Sequence, residues 1–484
     1  MQNRFKQLER QWPYIGFSLF SSIFIILICI HWGIFERNVI AVQSILQPLA
    51  AQETWMNIFH QDQKIGYSQR MIQPQENMYV LSDKTFLQLN TLGTLHDLHL
   101  KTSAILNTDM SVAQFSFDLN SDPFKFNVQG MIEGKKLRLI IGDTETQMVI
   151  PEKIYIPTAL MDAAYALNLK PGEWRNIKLF DPSTMAMRTV IIFYDGQERL
   201  NLLGETLLCK VYSMEYMGMK STAWINADGQ IVQEKGIMGM TLQKTTKDQA
   251  LRGLSGEKTS DLIAFSSVKT NILLNNPDRL SMITYEINGP FDIKNYAVGR
   301  QSQIAPNMMS IQREKIPSPP YYTTGVEQFL QTTPFIPSDH FLIRNQLKKI
   351  VRDADPVLVK IKKVMVWIND NIVKKPVISV PDAIETLKHR RGDCNEHAVL
   401  VAALLHACNI PTKIAAGLVY LDGRFYYHAW NEVYLNDWIS LDVIMNQFPA
   451  DVTHIRLVSG SPDKQMSLLG IIGNIKIKII EKKP

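Results

Sequence analysis

Arg391-Gly-Asp-Cys-Asn-Glu-His-Ala-Val-Leu-Val-Ala-Ala-Leu-Leu-His-Ala-Cys-Asn409 is the stretch on which the reading of this chain turns. It places a cysteine in the first turn of a helix. Gly392 interrupts whatever precedes, Asp393 is a capping residue type, and Cys394 then sits where backbone N–H groups lack intrahelical partners and the helix dipole is positive. That environment is expected to favour a thiolate. From Ala398 to Ala407 nearly every face is apolar apart from His406, so the helix is expected at the centre of a core, ending at Asn409-Ile-Pro411. A rigid helix that presents one thiol at its end suits a nucleophile. The alternative for a lone cysteine is a buried side chain that behaves as a small hydrophobe.

Two downstream segments bear on that choice. Phe425-Tyr-Tyr-His-Ala-Trp-Asn-Glu-Val-Tyr434 and Trp438-Ile-Ser-Leu-Asp442 read as strands joined near Asn436-Asp437. With period two, Tyr426, His428, Trp430, Glu432 and Tyr434 share one face, and Trp438, Ser440 and Asp442 share another. A strict two-residue loop would pair Asn431 with Asp442 and turn the acid away from His428. The reading therefore commits to a three-residue loop or a bulge, which pairs Trp430 with Asp442 and leaves His428 diagonal to it.

Gly392-Asp-Cys394-Asn, His428-Ala-Trp430 and Asp442, in this order and spacing, resemble the three motifs of the transglutaminase-like superfamily of papain-type cysteine acyltransferases and peptidases, in its bacterial branch. The resemblance covers roughly the last third of the chain. It implies an α+β fold, with Cys394 as nucleophile, His428 as general base and acid, and Asp442 as the group that fixes the imidazole tautomer. Val443-Ile444 follow Asp442, where family members often carry Pro-Thr. The implied chemistry is an acyl-thioester formed from a peptide or protein amide and resolved by water or by an amine. Beyond Asp442, Asn446-Gln-Phe-Pro449 and Asp451-Val-Thr-His454 also resemble bacterial members. Trp430, Gln447 and His454 are the candidate substrate contacts, and a polar hydrogen-bonded loop is the alternative for the last two.

At 484 residues the chain is long enough for about three units. Its net charge of +5 is small for that length and argues against a nucleic-acid partner. Residues 1–35 read as a cytoplasmic tail and anchor. The run from Tyr14 to Ile34 is apolar but for a few serines and His31, and Arg4, Lys6 and Arg10 precede it. This predicts a single transmembrane helix with the N-terminus cytoplasmic and the bulk of the chain periplasmic at the inner membrane. Residues 36–52 would be a stalk.

From 53 to 257 the chain alternates in the manner of strands, as in Phe115/Phe117/Leu119 and Leu137/Leu139/Ile141, with one helix near Thr158 to Leu167. These consecutive hairpins predict an antiparallel barrel or half-barrel. Residues 258–337 are read as a β extension and linker, and 338–484 as the catalytic α+β domain. The last residues, Ile471 to Ile480, alternate isoleucine with lysine like an edge strand.

Outside the predicted anchor the cysteines are Cys209, Cys394 and Cys408. Cys394 and Cys408 lie roughly 20 Å apart on one helix and cannot bridge, and all three are expected to be free. There is no G-x-S-x-G elbow, phosphate-binding glycine loop or paired Cys-x-x-Cys motif, so no cofactor or metal is expected. Cys394-x-x-His397 is read as neighbours on the helix surface. The function expected is a membrane-anchored, periplasm-facing cysteine acyltransferase, protease or amidase acting on a peptide or protein of the cell envelope. Two alternatives stand beside it. One is a catalytically silent assembly or binding module. The other is a lipid or lipoprotein carrier working through the β-domain, which an apolar pocket there would support and a filled core would remove.

Overall fold

Alternating apolar residues between 52 and 245 build one antiparallel sheet, 14 strands wide among the described residues of a computed structural model. The structure describes residues 49–484 except 92–93, 151, 217–218, 237–238, 255–266, 461, 466–467 and 469–473. Eight strands from β1 (Gln52–His60) to β8 (Thr144–Val149) pair in chain order. Six more, from β9 (Trp174–Asp181) to β14 (Met240–Thr245), do the same, and β1 pairs with β14. The sheet's two edges are β8 and β9, so among the described residues it does not close into a barrel.

The crossing between those edges contains helix α1 (Leu160–Ala166), where Leu160, Met161 and Ala164 pack on Ile177, Val190, Ile192 and Tyr212. A helix packed on the sheet fills space that a ligand would need. A small cavity of about 10 Å³, room for about one water, lies beside it, lined by Gln52, Thr54, Arg70, Ile72, Asp162, Gly229 and Ile231. The buried Arg70–Asp162 ion pair forms part of its wall, chemistry that does not suit a lipid chain.

The expected fold class is corrected at its N-terminal end. Among the described residues no helix is long and apolar enough to cross a membrane. The run from Tyr14 to Ile34, which carried the predicted anchor, its orientation and the inner-membrane location, lies outside the described residues, as does most of the predicted stalk. The architecture is large antiparallel β-sheet followed by an α+β domain. No transmembrane helix is found among the described residues, and the single-pass location is not retained.

In the α+β part, helices α2 (Phe341–Ile350), α3 (Val357–Asn371) and α4 (Ala383–His389) surround α5 (Cys394–Ala407). Asp382 caps α4 by accepting from the Glu385 N–H at 2.8 Å. The first residue of α3 is Val357, with Pro356 in the cap position, one residue later than Asp355-Pro356 predicts. Asp355 instead accepts from the Arg352 N–H and pairs with Lys363.

Along α5 the residues from Ala398 to Leu405 are fully buried, as an all-round apolar helix requires. Its other neighbours are strands β15 (Thr412–Leu421) and β16 (Arg424–Tyr434), which run antiparallel. Strand β17 (Trp438–Leu441) lies beside β16, and β18 (Ile455–Ser459) lies beside β15. A smaller sheet joins Met282–Asn288, Gln301–Ala305 and Met308–Gln312 to the terminal strand Lys476–Lys483, which is an edge as its lysines suggest.

Candidate active site

The N-terminus of α5 is built by a capping box. Asp393 accepts from the Asn395 N–H at 2.8 Å and from the Glu396 N–H, and the Glu396 carboxylate reaches back to the Asp393 N–H at 2.9 Å. The D-x-x-E spacing is legible in the sequence. The cap uses the second and third amides of the helix and not that of Cys394. Glu396 also accepts from the Ser379 hydroxyl. Gly392 makes room for this, because a β-carbon there would lie 2.3 Å from that of Glu396.

Cys394 is half-buried at this end of the helix. Burial pushes its thiol well above the ordinary cysteine value, and the nearby Asp393 carboxylate adds to the push, while a hydrogen bond from the Ala429 N–H acts the other way. Burial and the carboxylates therefore oppose the helix dipole at this thiol. Asp393 is itself raised, by burial first and then by Glu396.

Ala429 follows His428 on β16. Opposite, the register runs from Tyr434 facing Trp438 to Asn431 facing Leu441, which is the three-residue loop on which the sequence reading depended. One further step sets Trp430 against Asp442, and His428 Nε2 reaches Asp442 Oδ2 at 2.7 Å. Both residues are buried, His428 at 5% exposure and Asp442 at none. The other Asp442 oxygen accepts from the backbone N–H groups of Ile444 at 2.7 Å and Met445 at 3.0 Å. With Nε2 committed to the carboxylate, Nδ1 is the ring nitrogen of His428 left for other chemistry. Despite burial, the two imidazoles beside Asp442 hold its carboxyl well below the usual range.

The second imidazole is His454. Its Nε2 lies 2.8 Å from the same Asp442 Oδ2, and its Nδ1 lies 3.2 Å from Asp451 Oδ1. The ring has no exposed surface. Gln447 spends its side-chain amide on Asp451, donating to Oδ2 at 2.9 Å and accepting from the backbone N–H at 2.8 Å. Trp430, 2% exposed, stacks on His428 with ring centroids 6.2 Å apart and meets His454 edge-on at 5.2 Å. So the structure gathers Trp430, Gln447 and His454 around the His428–Asp442 pair. The polar side-chain atoms of Gln447 and His454 face protein groups.

His397, read as a helix-surface neighbour, is fully buried with Nδ1 on the Asp393 carbonyl at 2.6 Å. Cys209, Cys394 and Cys408 are free, as expected.

His428 Nε2, Asp442 Oδ2 and His454 Nε2 lie within 4.8 Å of one another, close enough to form a metal-binding group. Their gaps of 2.7 and 2.8 Å to one shared carboxylate oxygen are hydrogen-bond lengths, the arrangement of a proton-bonded network.

Sequence reasoning missed Arg300. Its guanidinium pairs with Glu314 at 2.8 Å and donates to the Ser440 hydroxyl and to the carbonyls of Ala450, Asp451 and His454. It fixes the loop that carries Asp451 and His454.

Residues 344–443 match the model of the transglutaminase-like superfamily. The match spans Cys394, His428 and Asp442, and it supports at the coarse level a cysteine-type enzyme. No curated protein matches the chain. Among solved structures, the chain is 13% identical to a β-barrel-like protein of a domain of unknown function from Brucella abortus. That match covers 41% of this chain and 97% of the other, with a TM-score of 0.33. It is 15% identical to a proposed cysteine protease from Cytophaga hutchinsonii, over 42% of this chain and 86% of that one, at a TM-score of 0.27. The assignment of the transglutaminase-like domain rests on the family model and not on these distant likenesses.

Proposed function

We propose that the transglutaminase-like domain is a cysteine acyl-transfer enzyme acting on a peptide or protein amide, with Cys394 as nucleophile, His428 as base and acid, and Asp442 as the group that orients His428. One observation carries the reading. Asp442 grips His428 by Nε2, which leaves Nδ1 free on the residue that precedes Ala429, and the Ala429 N–H meets the Cys394 sulfur.

Burial raises the thiol, and attack is then a general-base step. His428 takes the thiol proton as the sulfur bonds to the carbonyl carbon, then gives it to the leaving amine as the C–N bond breaks. The Cys394 backbone N–H, which the helix cap does not use, suits the developing oxyanion. Water resolves the thioester to an acid, and an amine resolves it to a new amide.

The test is iodoacetamide alkylation of Cys394 against pH, read by peptide mass. Expected is a rate near neutral pH that falls at least about tenfold in His428→Ala and in Asp442→Ala. A slow thiol indifferent to His428 would sink the reading and leave the domain a binding module. Product analysis on peptide amides with and without an added primary amine then separates hydrolysis from cross-linking.

A further inference from the structure

His454 is a second histidine on the acid that orients the first, and its hydrogen bonds settle its charge. A carboxylate offers only acceptors. His454 Nε2 faces Asp442 and Nδ1 faces Asp451, so both nitrogens must carry protons for both bonds to form. That makes the ring an imidazolium, and with no exposed surface no water competes for either bond. Asp451 is anchored in turn, by the Thr453 hydroxyl and N–H on one oxygen and by Gln447 on the other.

We propose that His454 is a positioning residue for the Cys394–His428 pair: clamped between Asp451 and Asp442 as an imidazolium, it holds Asp442 in the orientation that fixes His428 with Nδ1 free to receive the thiol proton.

The inference rests on the acyl-transfer reading above. Asp442 has about four acceptor directions, and all are in use, two by backbone amides and two by imidazoles. Removing His454 leaves one carboxylate lone pair buried without a donor and frees the carboxylate to turn. Charge balance points the same way. Asp442 and Asp451 are negative and His454 is positive, so the cluster reaches neutrality when His428 gains a proton, the state that follows thiol deprotonation.

The other charged group against this loop, Arg300, has its charge answered by Glu314 and touches His454 through its carbonyl. Tyr285 donates to the Val452 carbonyl, and Trp430 covers the ring edge. Asp393 and Glu396 act on the thiol side. The raised value of His454, about 9, agrees with two facing carboxylates outweighing burial.

Two measurements on the full chain test this. In protein carrying 15N-labelled histidine, one histidine is expected to keep both ring nitrogens protonated at about pH 8, where an ordinary histidine is neutral. A wild-type spectrum with no such ring overturns the proposal, and no folded variant is needed to see it. His454→Gln assigns the signal.

In the second measurement, the acid-side loss of Cys394 alkylation is expected about one pH unit higher in His454→Gln than in wild type, because removing a neighbouring positive charge favours the protonated, inactive state of the His428–Asp442 pair. A profile that does not move, in a variant that folds, reduces His454 to a structural role and overturns the proposal alone, provided His428→Ala slows alkylation. If His428→Ala leaves alkylation unchanged, the enzyme reading and this inference fail together. Zinc retained stoichiometrically after dialysis and lost in His454→Gln would overturn it in favour of a metal site.

Discussion

Two carboxylates and the imidazole between them, Asp451, Asp442 and His454, tie the stability of this domain to pH. His454 is raised from 6.5 to about 9, mainly by its hydrogen bonds to Asp442 and Asp451, which overcome burial. Below pH 6.5 both the folded and unfolded chains bind this proton, and the stabilisation is present in full. Between 6.5 and 9 the unfolded chain releases it first, so the contribution, roughly 3 kcal/mol at most, is lost as pH rises. Asp442 and Asp451 are depressed and act in the opposite sense. Their contribution is present above the unfolded value of 3.8 and is lost as pH falls through their lower folded values. Urea denaturation midpoints are therefore expected to fall between about pH 6 and about pH 9.5, with most of that fall absent in His454→Gln. Equal midpoints in the wild type at the two pH values would contradict a buried imidazolium.

At this scale the sequence was informative where period two or the helix turn acts alone, as in the His428–Asp442 register and the position of Cys394. It left out of the account of the thiol the burial and the carboxylates that its own capping box brings within reach, which oppose the helix dipole.

Among elements, the small sheet matters more than its sequence suggests. Residues 258–337 show weak alternation and proline-rich connectors, and nothing local marks Arg300, whose partners lie up to 154 residues away. No periodicity reports a contact of that separation. Yet its guanidinium, 7% exposed, ties the loop bearing Asp451 and His454 to Ser440 on β17. On the other side of the site, Gly417 on β15 faces His428 in one register and Arg456 in the other. A β-carbon there would lie 2.0 Å from the Ile455 carbonyl, so the two strands close only over a glycine.

The loop is thus held from both sides by groups outside the triad. Arg300→Gln leaves Glu314 buried without its partner and three carbonyls short of a donor, and is expected to cost about 3 kcal/mol of stability. It should also slow Cys394 alkylation in the same direction as His454→Gln. Unchanged alkylation in a folded Arg300→Gln would show that the loop keeps its place without the guanidinium.

Across the whole chain, the β-meander was legible because each hairpin is local and alternates cleanly. The way the sheet meets the α+β domain was not, because that contact is made by side chains distant in sequence. Phe124 packs edge-on against His389 at 5.4 Å, and Phe126 lies against Phe335 at 6.4 Å. One contiguous apolar cluster runs from Leu81 and Leu137 in the sheet through Phe335 to Val399 and Ile479. Two parts that share a core lose that core together, which predicts coupled unfolding even though a chain of 484 residues need not be two-state.

The native thiols report on it directly. Cys209 is fully buried in the large sheet, and Cys408, pushed up to about 11 mainly by burial, ends α5 in the other part. Labelling at increasing urea is expected to expose both at a common midpoint. Phe126→Ala, a large-to-small change at a site 7% exposed, removes about 3 kcal/mol and should lower the two midpoints by the same amount. A variant in which Cys209 becomes reactive early while Cys408 stays protected would mean that the sheet and the transglutaminase-like domain fold independently, and that Phe126 joins them only as a surface contact.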